Sequence, residues 1–162
     1  MQTATAGELI NVLTAKRKQR LELSEAAKVK ESDFVGKLHG LITRSADMLK
    51  PLEPFGISTK VEDVSYRLDF GFGLVAVELL VLRVLDGKDE LLSLEPKVLE
   101  ASPTVPFCFA KYGPKTRSIV WKPADQEPGW YFWTNDDDKS LTPKYLRFNE
   151  DSLMGLIKSI VE

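Results

Sequence analysis

The chain is poor in the residues that most often carry chemistry. Among its 162 residues, His39 is the only histidine and Cys108 the only cysteine. A zinc site built on nitrogen and sulfur ligands, a histidine pair and most nucleophile–histidine dyads therefore lack their parts. With one thiol there can be no intramolecular disulfide, which fits a reducing compartment. Gly71-Phe72-Gly73 has neither the third glycine nor the following helix pattern of a phosphate-binding loop. Asp136-Asp137-Asp138 lacks the alternating spacing of a calcium loop and reads as a solvated hairpin tip. No metal and no cofactor are expected.

Charge of one sign is lacking too. With 22 basic and 24 acidic residues the net charge is −2, and the global basic excess typical of a nucleic-acid binder is missing. Nucleic acid is therefore not an expected partner. Nor is a membrane. The longest apolar run, Leu74 to Leu85, is interrupted by Glu78 and Arg83 and falls short of the roughly 20 residues that span a bilayer. The first residues carry no hydrophobic signal region, so the expected location is cytoplasmic.

Proline is absent before Pro51, and all 9 prolines lie between Pro51 and Pro143. The N-terminal third is free to be helical, and the middle is punctuated like a sheet with turns. Thr5 and Glu8 form a T-x-x-E capping box at the start of a first helix. Phe34, Val35, Leu38, Leu41, Ile42, Met48 and Leu49 fall within an arc of roughly 140° on an ideal helix, a core-facing stripe. Ser32 is a good N-cap. Residues 6–50 are thus expected to form two helices with a bend near Glu31, with one unbroken helix from 6 to 50 as the alternative.

A sheet is expected over residues 57–148. Val64, Tyr66, Leu68 and Phe70 alternate with polar residues, whereas Leu74 to Leu85 reads as a central strand covered on both faces. Asp86-Gly87 signals a two-residue hairpin loop that sets Arg83 directly opposite Glu90. Further strands are expected at Val105–Tyr112, Thr116–Lys122, Gly129–Trp133 and Lys144–Phe148. Asn149 then caps a last helix over 149–162, with Leu153, Leu156, Ile157, Ile160 and Val161 facing the core. The expectation is one α+β domain over residues 1–162: two N-terminal helices, an antiparallel sheet of about six strands, and a C-terminal helix packed on the sheet.

Two features are not absorbed by this plan. Lys16, Arg17 and Arg20 project onto the apolar side of the first helix, where a packed helix would carry carbon. Trp121, Trp130, Tyr131 and Trp133 make both faces of one hairpin aromatic. If residues 123–128 form the loop, Trp121 faces Trp130, and Tyr131 with Trp133 lies on the other face. One face can fill the core; the other calls for a cover, a ligand or a partner. These seven residues are the candidate binding positions.

The reading that joins them is a non-catalytic protein-interaction module such as an adaptor, chaperone-like factor or inhibitor. It would bind another protein or a second copy in a homodimer. The alternative is a small-molecule binder with its ligand between the aromatic strands and a helix. A carboxylate-based enzyme would rest on Glu78, Asp69 or Asp63, with Glu78 made a weaker acid by burial in an apolar strand. His39 and Cys108 read as structural.

Overall fold

A computed structural model describes residues 2–98, 103, 105–123, 125–133 and 144–162. The chain opens with one helix, α1, from Ala6 to Met48, about 65 Å long at 1.5 Å per residue. Its start is capped as the sequence signals: the Glu8 amide donates to Thr5 Oγ1 at 3.1 Å, and the Thr5 amide donates to Glu8 Oε2 at 3.0 Å. The expected bend near Glu31 is absent. No proline or glycine interrupts residues 8–35, and Ser32 sits inside the helix as an exposed residue. A capping residue ends nothing where the flanking residues all accept helical dihedrals. The N-terminal region is one helix, not two.

A short 3-10 helix, Lys50–Phe55, turns the chain into the sheet, ending at Gly56 with φ of 89°. Seven strands follow: β1 (Ile57–Asp69), β2 (Leu74–Asp86), β3 (Asp89–Pro96), β4 (Phe107–Tyr112), β5 (Lys115–Trp121), β6 (Trp130–Trp133) and β7 (Tyr145–Arg147). They pair in chain order and all antiparallel. The strand after the Asp86-Gly87 signal raises the expected count of about six to seven. The run Asp136-Asp137-Asp138 lies outside the described residues. Helix α2, Glu150–Val161, closes the fold. Asn149 caps it, accepting from the Ser152 amide at 2.9 Å.

The β2–β3 hairpin corrects the expected register. Asp86 pairs with Asp89, so the loop is Gly87-Lys88, and a bulge between Val84 and Leu85 sets Arg83 opposite Ser93. Gly87 takes φ of 60° while Lys88 does not have positive φ, the pattern of a type II′ turn, which favours glycine at its first loop position. The ion pair expected from the wrong register forms nevertheless. Arg83 Nη1 reaches Glu90 Oε1 at 2.7 Å, and Nε reaches Glu62 Oε2 on β1 at 3.0 Å.

One core joins both helices to the sheet. Phe34, Leu38, Leu41, Ile42 and Leu49 from α1 meet Leu79, Leu82, Val84, Leu92, Leu94, Ile119 and Phe132 from the strands, with Leu153, Leu156 and Ile157 from α2. Each such side chain contributes about 1.5–3 kcal/mol of burial. The strand Leu74 to Leu85 is covered less evenly than its composition suggests: Leu74, Ala76 and Glu78 are exposed, and consecutive burial is confined to Val81 and Leu82. Among the described residues, no helix is long and apolar enough to cross a membrane.

Candidate functional site

Helix α1 buries side chains fully only from Phe34 onward. That ring lies 5.7 Å from Phe70, beside the β1–β2 turn. No residue from 2 to 33 is buried. Ala27 already packs partly buried against the core, so the helical residues 6–26 stand free of the sheet over about 31 Å. On this arm Leu9, Ile10, Val12, Leu13, Leu21 and Leu23 are 47–60% exposed, and Val29 beyond it 70%. Isolated exposed leucines need no explanation, but these six aliphatic side chains before Ala27 share the unsupported half of one helix and form an extended apolar surface.

Lys16, Arg17 and Arg20 all lie on this arm, fully in solvent. None forms an ion pair with a carboxylate among the described residues. On the helix they continue the line of the packed stripe. At seven-residue spacing the positions Ile10, Leu13, Arg17, Arg20, Ser24, Ala27, Glu31 and Phe34 run into Leu38 and Leu41, a single seam with basic residues at its outer centre. Lys16 and Arg20 are four apart, a like-charge spacing that costs an isolated helix about 0.2–0.5 kcal/mol. The charge sits on the arm at some cost to its own helix.

The aromatic positions are arranged differently. Trp121 pairs with Trp130 across β5 and β6, as the loop length implied, and their rings meet edge to face at 5.6 Å. Trp130 and Tyr131 are buried, on opposite sides of β6, while Trp121 and Trp133 are half-buried. Tyr131 Oη donates to the Glu127 carbonyl at 3.0 Å and accepts from Arg147 Nη1 at 2.9 Å. Trp133 Nε1 is buried without a hydrogen-bond partner among the described residues. The second aromatic face thus draws much of its cover from neighbouring side chains, and Trp121 and Trp133 are the partly exposed members of the set. Lys37 lies over the Trp121 indole, 4.8 Å from the ring centroid, a cation–π contact. The structure therefore separates the basic cluster from the aromatic strands: one is on the arm, the other on the body.

The carboxylates proposed for an enzyme are ordinary surface groups. Glu78 and Asp63 are exposed, so the expected burial of Glu78 in a central strand is corrected. Asp69 Oδ1 accepts from the Gly71 amide at 2.7 Å and stabilises the β1–β2 turn. His39 donates through Nε2 to the Glu78 carbonyl at 2.8 Å, pinning α1 to β2. The Cys108 thiol is fully buried, and burial raises its pKa far above the ordinary range, with Glu95 adding to the shift. Such a thiol is inert at neutral pH. Among the described residues, no group of histidine, cysteine or carboxylate side chains could hold a metal ion.

Sequence reasoning missed two arginines. Arg44 on α1 and Arg147 at the end of β7 line one cleft with Trp121, Trp130 and Met48. The available signal was Arg44 at seven residues from Lys37 on one helix flank; nothing local announces Arg147. Comparison with family models, with curated proteins and with solved structures finds no match to this chain.

Proposed function

We propose that the protein is a non-catalytic interaction module that engages a protein partner through the free half of α1. One observation carries this reading: a capped helical arm of about 21 residues with exposed leucines and three cations, Lys16, Arg17 and Arg20, that form no ion pair among the described residues. An arm of that kind ordinarily gains its stability from what it packs against. The chemistry favours a partner with an apolar groove and carboxylates at its centre, for Leu9 and Leu13 to enter and Lys16, Arg17 and Arg20 to meet. A second copy docked arm to arm in a centred antiparallel register would instead set Arg17 near Arg20. A cytoplasmic location belongs to the same reading.

The test is charge reversal of Lys16, Arg17 and Arg20 to Glu, with Leu9→Ala and Leu13→Ala as a separate variant. Native mass spectrometry of the protein purified from its own source reports its partners. The expected result is one protein partner, released by salt and lost in both variants, while far-ultraviolet dichroism and the melting transition are retained. A partner set and subunit number that neither variant alters would end the proposal. A salt-insensitive homodimer broken only by the leucine changes would transfer the arm to self-association.

A further inference from the structure

A second place on the molecule has the composition of a ligand site, and it is independent of the arm. Between the body-facing half of α1 and the β5–β6 hairpin lies a cleft of about 180 Å³, lined by Leu41, Arg44, Met48, Trp121, Trp130 and Arg147 among others. Lys37, Leu41, Arg44 and Met48 recur at four, seven and eleven residues, so one flank of the helix supplies that wall. The opposite wall is the edge-to-face pair Trp121–Trp130. The volume is below the roughly 300–1,000 Å³ of pockets that enclose drug-sized molecules, and suits a ligand of one ring.

The charges of this cleft are lopsided. Arg44 and Arg147 both line it, and neither forms an ion pair with a carboxylate among the described residues. Lys37, beside them on the helix flank, is already matched by Asp33 at 2.7 Å. Arg147 is held in place rather than loose. One nitrogen donates to the Tyr131 hydroxyl at 2.9 Å, and the guanidinium stacks 5.2 Å from that ring. Its seat is Gly129, at φ of 151°, where an added Cβ would stand 2.5 Å from Arg147 Cζ. A guanidinium anchored by a neutral phenol keeps its charge, and among the described residues the Tyr131 hydroxyl is the one partner it donates to. Two arginines with no acid partner among the described residues, beside indoles packed edge to face, match a flat apolar body with an acid group at one end.

We propose that this cleft binds a small anionic ligand, a single aromatic or heteroaromatic ring carrying a carboxylate or a phosphate. Arg44 and Arg147 grip the acid group, and Trp121 with Met48 contacts the ring. Gly129 is a positioning residue, because its missing side chain admits the Arg147 guanidinium.

The experiment is a tryptophan-fluorescence titration of the full-length chain with benzoate, phenyl phosphate, the neutral isostere benzamide and inorganic phosphate, repeated as ligand-dependent shifts of the melting temperature. At least one aromatic acid should give a saturable change with Kd of about 1 mM or tighter. The relative response to benzoate and phenyl phosphate identifies the acid group. Arg44→Gln should weaken binding at least tenfold, Arg147→Gln and Gly129→Ala likewise, and Arg67→Gln, remote on β1, should leave it unchanged. Arg44 has no partner among the described residues, so its variant tests the idea even if the other two lose stability. Three results overturn the proposal: no saturable response to either aromatic acid, equal affinity for benzamide, or inorganic phosphate binding as tightly as phenyl phosphate. The last would mean an adventitious ion only.

Discussion

The two halves of α1 share one unbroken backbone and one seven-residue seam, yet they live in different solvents. From Phe34 to Leu49 the seam positions Phe34, Leu38 and Leu41 are nearly sealed against the sheet. From Ile10 to Arg20 the same seam is open, with Arg17 and Arg20 where the inner half has Leu and Phe. Helix formation and helix burial are thus separate questions here. The outer half is helical through its cap, its lack of proline and its continuity with an inner half already fixed by packing. The inner half is helical because its stripe has a sheet to cover.

The sharpest way to break this contrast is to remove one leucine from each half. Leu38→Ala should cost about 2–5 kcal/mol, since a fully buried side chain leaves both lost transfer energy and a cavity. Leu13→Ala should shift stability by less than about 0.5 kcal/mol, because an exposed leucine has nothing to vacate. Urea denaturation of the two variants measures both. Similar losses would show that the arm is packed against something in solution.

The helix caps sharpen the comparison on a smaller scale. Thr5 and Asn149 make the same reciprocal bonds, but α2 places Leu153, Leu156 and Ile157 in the core while the start of α1 buries nothing. Asn149→Ala should lower global stability by about 1 kcal/mol. Thr5→Ala should leave the global transition in place and only fray the first turns, read as faster amide exchange from Glu8 onward. A global loss from Thr5→Ala would again mean that the arm is coupled to the body.

What the sequence disclosed follows from how local each cause is. The caps at Thr5 and Asn149, the stripe from Phe34 to Leu49 and the Trp121–Trp130 pair each depend on a few neighbouring residues, and each is found in the structure. The continuity of α1 was hidden because Ser32 is equally acceptable as a cap or as a mid-helix residue, and what decides is the helix on both sides of it. The β2–β3 register was hidden by the bulge at Val84 and Leu85, which moves Arg83 without breaking its pair with Glu90. The basic cluster was visible as an anomaly, but only the structure shows that its whole half of the helix is unpacked. The meeting of Arg44 with Arg147 was invisible, because no periodicity links a mid-helix position to the end of the last strand.

The smallest expected effects come from comparing arginines. Arg83 on the sheet is clasped by Glu62 and Glu90, whereas Arg20 on the arm has Lys16 and Arg17, both basic, at the preceding turn. The Glu62 carboxyl is held below its ordinary pKa, first by the hydrogen bond from Arg83 and then by that from Lys60. Its contribution to stability is therefore present above the unfolded glutamate value of about 4.3 and is lost as pH falls through the lower folded value. Arg83→Gln should lower stability at neutral pH, and its deficit against the parent should shrink in acid, as Glu62 is protonated in both. Arg20→Gln should instead gain about 0.2–0.5 kcal/mol of helix stability, independent of pH across the carboxylate range and smaller in high salt. Urea midpoints for the Arg83 variant and helix dichroism for the Arg20 variant, at pH 3 to 7, measure these effects. A pH-dependent loss at Arg20 would mean that a carboxylate meets the arm in solution and that its cations already have their partner.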